Sequence, residues 1–116
     1  MRLLGFLILV TGLLLSSCIE RPAQKPAYLL NEDKMVALMV DMHLIETAQN
    51  LKLLSPDSVN AYAQMFESIY LSHSTSKSDF DSSLFYYSTQ TDQMNVIYDQ
   101  VLERLYEMEA EVKANE

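Results

Sequence analysis

Residues 32–53 read EDKMVALMVDMHLIETAQNLKL, a run without Gly or Pro in which apolar residues recur at spacings of three and four. This periodicity predicts an α-helix over Glu32–Leu53, with Asn31 as its N-cap. Around the helix, apolar residues cover nearly the whole circumference and leave only a narrow strip of polar or small side chains. A helix that is apolar on almost every side lies in the middle of its domain, so this run predicts an all-α fold built around it.

Three further helices are predicted after this run. Ser55 and Pro56 are typical of an N-cap and a first helical position, so a second helix is expected from there to about residue 71. A third helix is predicted over about Lys77–Ser88, where the run from Ser76 to Asp79 approximates a capping box. A fourth helix is predicted over about Asp92–Lys113 and carries an inward apolar stripe at spacings of three and four. The stripe consists of Met94, Ile97, Val101, Leu105, Met108 and Val112. Because short loops join these helices, the sequence predicts a small compact bundle of about four helices, either up-and-down or an irregular variant.

The composition and motifs of the chain argue against several classes of function. The chain has 16 Asp and Glu residues against 8 Lys and Arg residues, and its formal net charge is −8. This charge argues against nucleic acid as a partner, because phosphate binding requires a basic face. The single Cys excludes an internal disulfide. No Gly-rich phosphate loop or nucleophile motif is present, so the sequence predicts neither an enzyme nor a cofactor.

The N-terminal residues have the pattern of a lipoprotein signal peptide. Arg2 gives a positive start, and the apolar run Leu3–Leu15 is shorter than the roughly 20 residues that a membrane-spanning helix needs. Leu15-Ser16-Ser17-Cys18 then resembles a lipobox, in which an aliphatic residue and two small residues precede the Cys that receives a diacylglycerol. We therefore expect cleavage after residue 17 and lipidation of Cys18. The alternative is an ordinary signal peptide, or an uncleaved anchor, with an incidental Cys.

These features divide the chain into three parts: the signal peptide at 1–17, the lipidated Cys with a flexible tether at 18–30, and the helical domain at 31–116. Two Pro residues in the tether disfavour a regular helix there. Acyl chains on Cys18 would hold the domain at a membrane, since each buried methylene contributes about 0.8 kcal/mol. The expected location is the cell envelope, facing the periplasm, with the outer membrane favoured over the inner membrane.

Three polar residues interrupt the apolar surface of the first helix: His43, Glu46 and Asn50, at i, i+3 and i+7. A His and a Glu three residues apart can share a metal, and two such turns build di-iron sites in helical bundles. No second turn of this kind exists, so a mononuclear site would need His73, the other histidine. The favoured interpretation is a hydrogen-bonded polar network or a partly exposed edge. No metal is therefore predicted, and the three residues remain candidate ligand or partner contacts.

The predicted inward face of the third helix carries Phe80, Leu84 and Tyr87. Two other aromatic residues of this helix, Phe85 and Tyr86, point away from that face. A short helix with aromatic residues on two sides is either sandwiched between other elements or offers them to a partner. Both interpretations stay open. Because aromatic residues anchor protein interfaces, Phe85 and Tyr86 are the second set of candidate partner contacts.

Acidic residues at two places on the predicted helices are expected to face solvent. Asp41 lies on the narrow polar strip of the first helix, where water is favoured over a neighbouring helix as its partner. Along the fourth helix, acidic residues recur every four positions: Asp99, Glu103, Glu107 and Glu111. A solvated face is favoured there over a site for a basic partner or divalent cations.

Three segments carry a resemblance to a known family: KMV at 34–36 with VDMHLIETA at 40–48, FDSSL at 80–84 with YYS at 86–88, and IYD at 97–99 with VLERL at 101–105. They resemble the signatures of Bacteroidota lipoproteins that carry an uncharacterised domain, domain of unknown function 4296. The resemblance covers most of residues 31–106 and implies a small helical lipoprotein of the cell envelope. It implies no activity, ligand or catalytic residue, although Asp41, His43 and Glu46 lie in the first signature.

Together these features predict an envelope lipoprotein of unknown activity. The favoured role is a membrane-tethered module that binds another envelope protein. The alternative is a lipoprotein that binds a small ligand or a metal through His43 and Glu46.

Overall fold

The computed structural model describes Met1, residues 23–53 and residues 59–115. Within these parts the chain forms four α-helices and no strand, so the predicted all-α bundle is confirmed. The helices are α1 (Glu32–Asn50), α2 (Val59–Ser72), α3 (Lys77–Ser88) and α4 (Thr91–Ala114).

Two parts of the sequence-based prediction lie outside the described residues. One is the signal peptide together with Cys18, and the other is the start of the second helix at Ser55 and Pro56. Among the helices that the structure describes, none combines the length and the apolar character needed to cross a membrane.

Local hydrogen bonds set both ends of α1. Asn31 has an extended backbone and its Oδ1 accepts the backbone N–H of Lys34 at 2.8 Å, which confirms it as the N-cap. At the other end, the N–H groups of Leu53 and Lys52 donate at 3.0 Å to carbonyl oxygens five and three residues earlier. This is a Schellman motif, in which Lys52 has a φ of 55°, a region that favours Gly. The helix therefore ends at Asn50 and not at the predicted Leu53.

The next two helix ends follow the same rules. After α2, Ser74 has a φ of 51°, and the N–H of Thr75 donates to the carbonyl of Tyr70 at 2.9 Å, which is again a Schellman closure. The Oγ of Ser76 then accepts the N–H of Asp79 at 3.1 Å and caps α3. The predicted bounds of α3 are confirmed, and α4 extends one residue beyond its predicted bounds at each end.

The core is built from the first half of α1 and from buried residues of the other three helices. Helix α1 packs against α2, α3 and α4, which confirms its predicted central position. The buried apolar side chains are Met35, Val36, Leu38, Val40, Ile69, Tyr70, Phe80, Tyr87, Met94, Ile97 and Val101. Met108 and Val112, which the apolar stripe of α4 places inward, are exposed. That prediction is wrong because the apolar pattern of α4 continues beyond the buried part of the bundle.

The segment before α1 is held against α3 by two hydrogen bonds. The N–H of Leu30 donates to the Oγ of Ser83 at 3.0 Å, and the Tyr87 hydroxyl donates to the Leu30 carbonyl at 2.8 Å. Ser83 is fully buried, and Leu29 and Leu30 pack against the core. Sequence reasoning missed Ser83, because its hydrogen-bond partner lies 53 residues away along the chain.

We expect Ser83→Ala to lower the free energy of unfolding by about 1–3 kcal/mol, because it removes the acceptor of the Leu30 N–H. The matched control is Ser82→Ala, since Ser82 is exposed and its hydroxyl donates to a carbonyl of its own helix, that of Ser78. Urea unfolding followed by far-ultraviolet circular dichroism measures both variants. Equal stability of the two variants would show that the contact to Leu30 does not stabilise the domain.

A second prediction concerns alkaline pH. Burial raises the pKa of the Tyr87 phenol above its ordinary value of 10.0, and Glu32 and Tyr86 add to this effect. The folded state holds the proton more tightly than the unfolded chain, so the associated stability is complete below about pH 10 and decreases as the pH rises further. Tyr87→Phe has no such proton, so its stability lacks this contribution at every pH. The wild type should therefore be more stable than Tyr87→Phe at about pH 8, and this difference in unfolding free energy should be smaller at about pH 11. A constant difference in urea unfolding at the two pH values would contradict this.

Candidate functional site

An open groove of about 550 Å³ lies between α1, α3 and α4, and we call it the apolar groove. Helix α1 contributes Met39 and Met42, and α3 contributes Phe80 and Leu84. Helix α4 contributes four side chains within Tyr98–Leu105. Since most of these side chains are aliphatic, aromatic or thioether groups, the groove is suited to packing against an apolar surface.

The structure brings two of the three polar candidates of the first helix to this groove. His43 and Glu46 both line it, and both are exposed. Asn50 is also exposed but is not among the residues that line the groove. His43 and Glu46 therefore place two polar groups beside an otherwise apolar wall.

An exposed apolar row on α4 continues the groove. Tyr98, Leu102 and Tyr106 follow one another at intervals of four residues, and their exposed fractions are 48%, 51% and 67%. Tyr98 and Leu102 line the groove, whereas Tyr106 extends the row beyond it. We call these three residues the α4 row. Because exposed apolar surface that is contiguous with a groove is typical of interaction sites, the row enlarges the candidate contact area.

The two aromatic candidates of α3 have different environments. Phe85 is 65% exposed. Tyr86 is half-buried, packs against the core, and meets Tyr87 edge to face with ring centroids 5.8 Å apart. Neither residue lines the apolar groove. Of this pair, only Phe85 offers a largely free aromatic surface to a partner.

A second groove, which we call the polar groove, lies elsewhere on α1 and α4 and has a volume of about 350 Å³. The Nε2 of His73 lies 2.7 Å from the Oδ2 of Asp41 and donates to it. Asp41, predicted to face water, thus has a histidine partner although its side chain is 45% exposed. Arg104, Glu107 and Glu111 also line this groove.

The two histidines do not converge. His43 lines the apolar groove, whereas His73 lines the polar groove and is hydrogen-bonded to Asp41. A composite metal site of His43, Glu46 and His73 therefore does not form. Within residues 23–53 and 59–115, no group of three or more His, Cys, Asp or Glu side chains is arranged to hold a metal ion.

Comparison with models of protein families identifies a family for this chain. The model of a family described as a domain of unknown function (DUF4296) matches residues 26–111. The chain belongs to this family. The residues that line both grooves of the DUF4296 domain lie inside the matched range, and so do Leu30, Ser83 and Tyr87. No curated protein and no solved structure matches the chain.

Sequence reasoning missed the most exposed part of the candidate site in this DUF4296 domain. Tyr98, Leu102 and Tyr106 lie outside the inward stripe of α4, so their pattern was not needed to explain the core. The sequence signal that could have revealed these three residues is their spacing at i, i+4 and i+8, which forms a second apolar row on the same helix. A helix with one buried face does not require such a row, so its presence indicates a second contact.

Proposed function

We propose that this member of the DUF4296 family is a cell-envelope lipoprotein whose helical domain binds another protein through the apolar groove. The observation that supports the binding role is the groove itself, with about 550 Å³ of open space beside the exposed α4 row. Exposed apolar patches rimmed by polar residues mark interaction sites in soluble domains. His43 and Glu46 supply that polar rim.

The shape of the groove favours a protein over a small molecule. Small-molecule sites bury most of the ligand surface inside a cleft. The apolar groove is instead open to solvent, and the α4 row continues its apolar surface beyond the groove. A partner that covers such a surface must itself be extended, and another protein meets this requirement.

The proposed anchor is a lipid on Cys18, supported by the lipobox-like sequence Leu15-Ser16-Ser17-Cys18 after a short apolar run. The formal net charge of −8 disfavours close electrostatic contact with anionic headgroups. An anchored domain with this charge therefore keeps its contact surface available to proteins and not to the lipid surface. In this proposal the domain faces the periplasm.

A second candidate function rests on the same groove. Because His43 and Glu46 both line it, a small molecule with an apolar body and a polar end could be held there. Native mass spectrometry of the full chain separates this candidate from the first. A co-purified small molecule that is retained by the wild type and lost in His43→Ala would favour ligand binding.

Photocrosslinking in cells tests the protein-binding role. A photoreactive amino acid at position 102 lies on the groove, and one at position 96 is the matched control, since Val96 is 46% exposed on another side of α4. We expect a discrete protein adduct from position 102 that position 96 does not give, and whose yield falls when Tyr98→Glu is added. Mass spectrometry identifies the partner. If no adduct forms, or if the two positions give the same adducts, the proposal is wrong.

A further inference from the structure

We propose that the partner segment that occupies the apolar groove is an amphipathic α-helix whose apolar face is flanked by Lys or Arg residues. This inference rests on the proposed function and names the chemistry of the partner. It follows from two properties of the groove, namely the kind of backbone that forms its walls and the sign of the charges around it.

The walls of the groove are helices, which decides the mode of recognition. The backbone N–H and C=O groups of α1, α3 and α4 are used inside those helices, and the described residues contain no strand whose edge could pair with an extended peptide. Recognition must therefore proceed through side chains. The rows on α1 (Met39, Met42, Glu46) and on α4 (Tyr98, Leu102) repeat at helical spacing, so they fit the ridges of another helix.

The α1 wall of the groove suits partner helices that share a pattern of apolar residues but differ in exact sequence. Met39 and Met42 are both partly buried and lie in the groove lining. Met side chains are flexible and polarizable, and they adapt to apolar partners of different shapes. Phe80 and Leu84, which α3 contributes to the lining, provide a more rigid surface.

The charges around the groove are predominantly acidic. Glu46 belongs to the lining, and Asp99 and Glu103 directly follow the lining residues Tyr98 and Leu102 on α4. All three carboxylates are exposed, and none forms an ion pair within the part of the chain that the structure describes. Among the described residues that line this groove there is no Lys or Arg. Basic residues beside the apolar face of a partner helix would complement the negative potential of these carboxylates and increase the rate of association.

The same charges argue against a second copy of the chain as the occupant. In a symmetric dimer through this surface, Glu46, Asp99 and Glu103 would be repeated across the interface. Two chains with a formal net charge of −8 each would also repel one another as they approach. A basic partner avoids both costs, because like-charge contacts oppose binding whereas opposite charges favour it.

A displayed library of helical peptides with randomised side chains tests the inference without assuming the partner. The full chain is immobilised through a C-terminal biotin tag in mild non-ionic detergent, and bound peptides are selected and sequenced. We expect enriched peptides to carry apolar residues at i, i+3 or i+4, and i+7, with Lys or Arg beside them. Their affinity should decrease as salt increases, because exposed charge pairs are screened.

Two matched variants show whether the selected helices use the groove. Leu102→Glu adds a carboxylate to the groove wall, and Val96→Glu adds the same charge at a similarly exposed position of α4 outside it. We expect selected peptides to bind Leu102→Glu about tenfold more weakly than the wild type and to bind Val96→Glu at least as well as the wild type. Circular dichroism of each variant confirms that its helices are retained.

Several results would overturn the inference. These are a library that yields no binder, enriched peptides without an excess of Lys or Arg, and equal loss of binding in the two variants. A chain that forms dimers in sedimentation experiments and loses them in Leu102→Glu would identify a second copy as the occupant. If position 102 crosslinks a partner in cells while the library selects no basic helix, this inference fails and the proposed function stands. Basic helices that bind in vitro without any adduct in cells would instead contradict the proposed function.

Discussion

Ile97→Ala is expected to lower the free energy of unfolding by about 2–5 kcal/mol. Ile97 is fully buried on α4, within the cluster that also contains Met35 and Leu38. Truncation to Ala removes buried methyl and methylene groups and leaves a cavity that close-packed neighbours fill only in part. Because small domains have total stabilities of about 5–15 kcal/mol, this single change removes a large share of the stability.

The adjacent residue provides the control for this prediction. Val96 is 46% exposed, so Val96→Ala removes little buried surface and should change the free energy of unfolding by about 0.5 kcal/mol or less. Urea unfolding monitored by far-ultraviolet circular dichroism compares the two variants in the same helix. A loss of stability in Ile97→Ala that is no larger than in Val96→Ala would show that α4 does not pack at Ile97 as described.

Cys18→Ala is expected to abolish the incorporation of labelled palmitate. Cys18 is the single Cys of the chain, so no other thiol can accept the diacylglycerol. Since each buried methylene contributes about 0.8 kcal/mol, loss of the acyl chains removes the main source of membrane affinity in the proposed mature protein. Metabolic labelling, followed by mass spectrometry of the mature N-terminus, measures both lipidation and the site of cleavage.

Ser17→Ala is the matched control for the lipid anchor. It keeps a small residue beside the cleavage site, so labelling and cleavage before Cys18 should persist. Palmitate that is still incorporated into Cys18→Ala, or a mature wild-type N-terminus at another residue, would contradict the lipoprotein assignment. The protein-binding role of the groove would then lose the argument that the domain is held at the envelope.

Much of the fold could be read from short-range patterns. Asn31 and Ser76 accept backbone N–H groups three residues ahead, and both caps were predicted from sequence. The apolar residues all around α1 correctly indicated its central place among the other three helices. These features depend on residues that are close in sequence, or on the burial preference of a single helix, and both are visible before tertiary contacts form.

The predictions that failed needed information from the rest of the fold. The end of α1 was predicted three residues too late, because Lys52 adopts the left-handed conformation at a position where Gly is the usual sequence signal. Met108 and Val112 were placed inward, although their burial depends on how far the neighbouring helices reach along α4. Asp41 was assigned to water and its side chain is indeed 45% exposed, but its hydrogen-bond partner His73, 32 residues away, was not predicted.

The amino-acid sequence was sufficient to predict the helical class, the N-caps of α1 and α3 and the central position of α1, because caps and apolar periodicity act within a few residues of the chain. It also supplied the family resemblance that the match over residues 26–111 supports for the DUF4296 domain. The packing of the four helices was needed to show that His43 and Glu46 share an apolar groove with α3 and α4, and that His73 lies at the polar groove. A groove is formed by side chains from helices that are distant in sequence, and its location depends on how those helices pack.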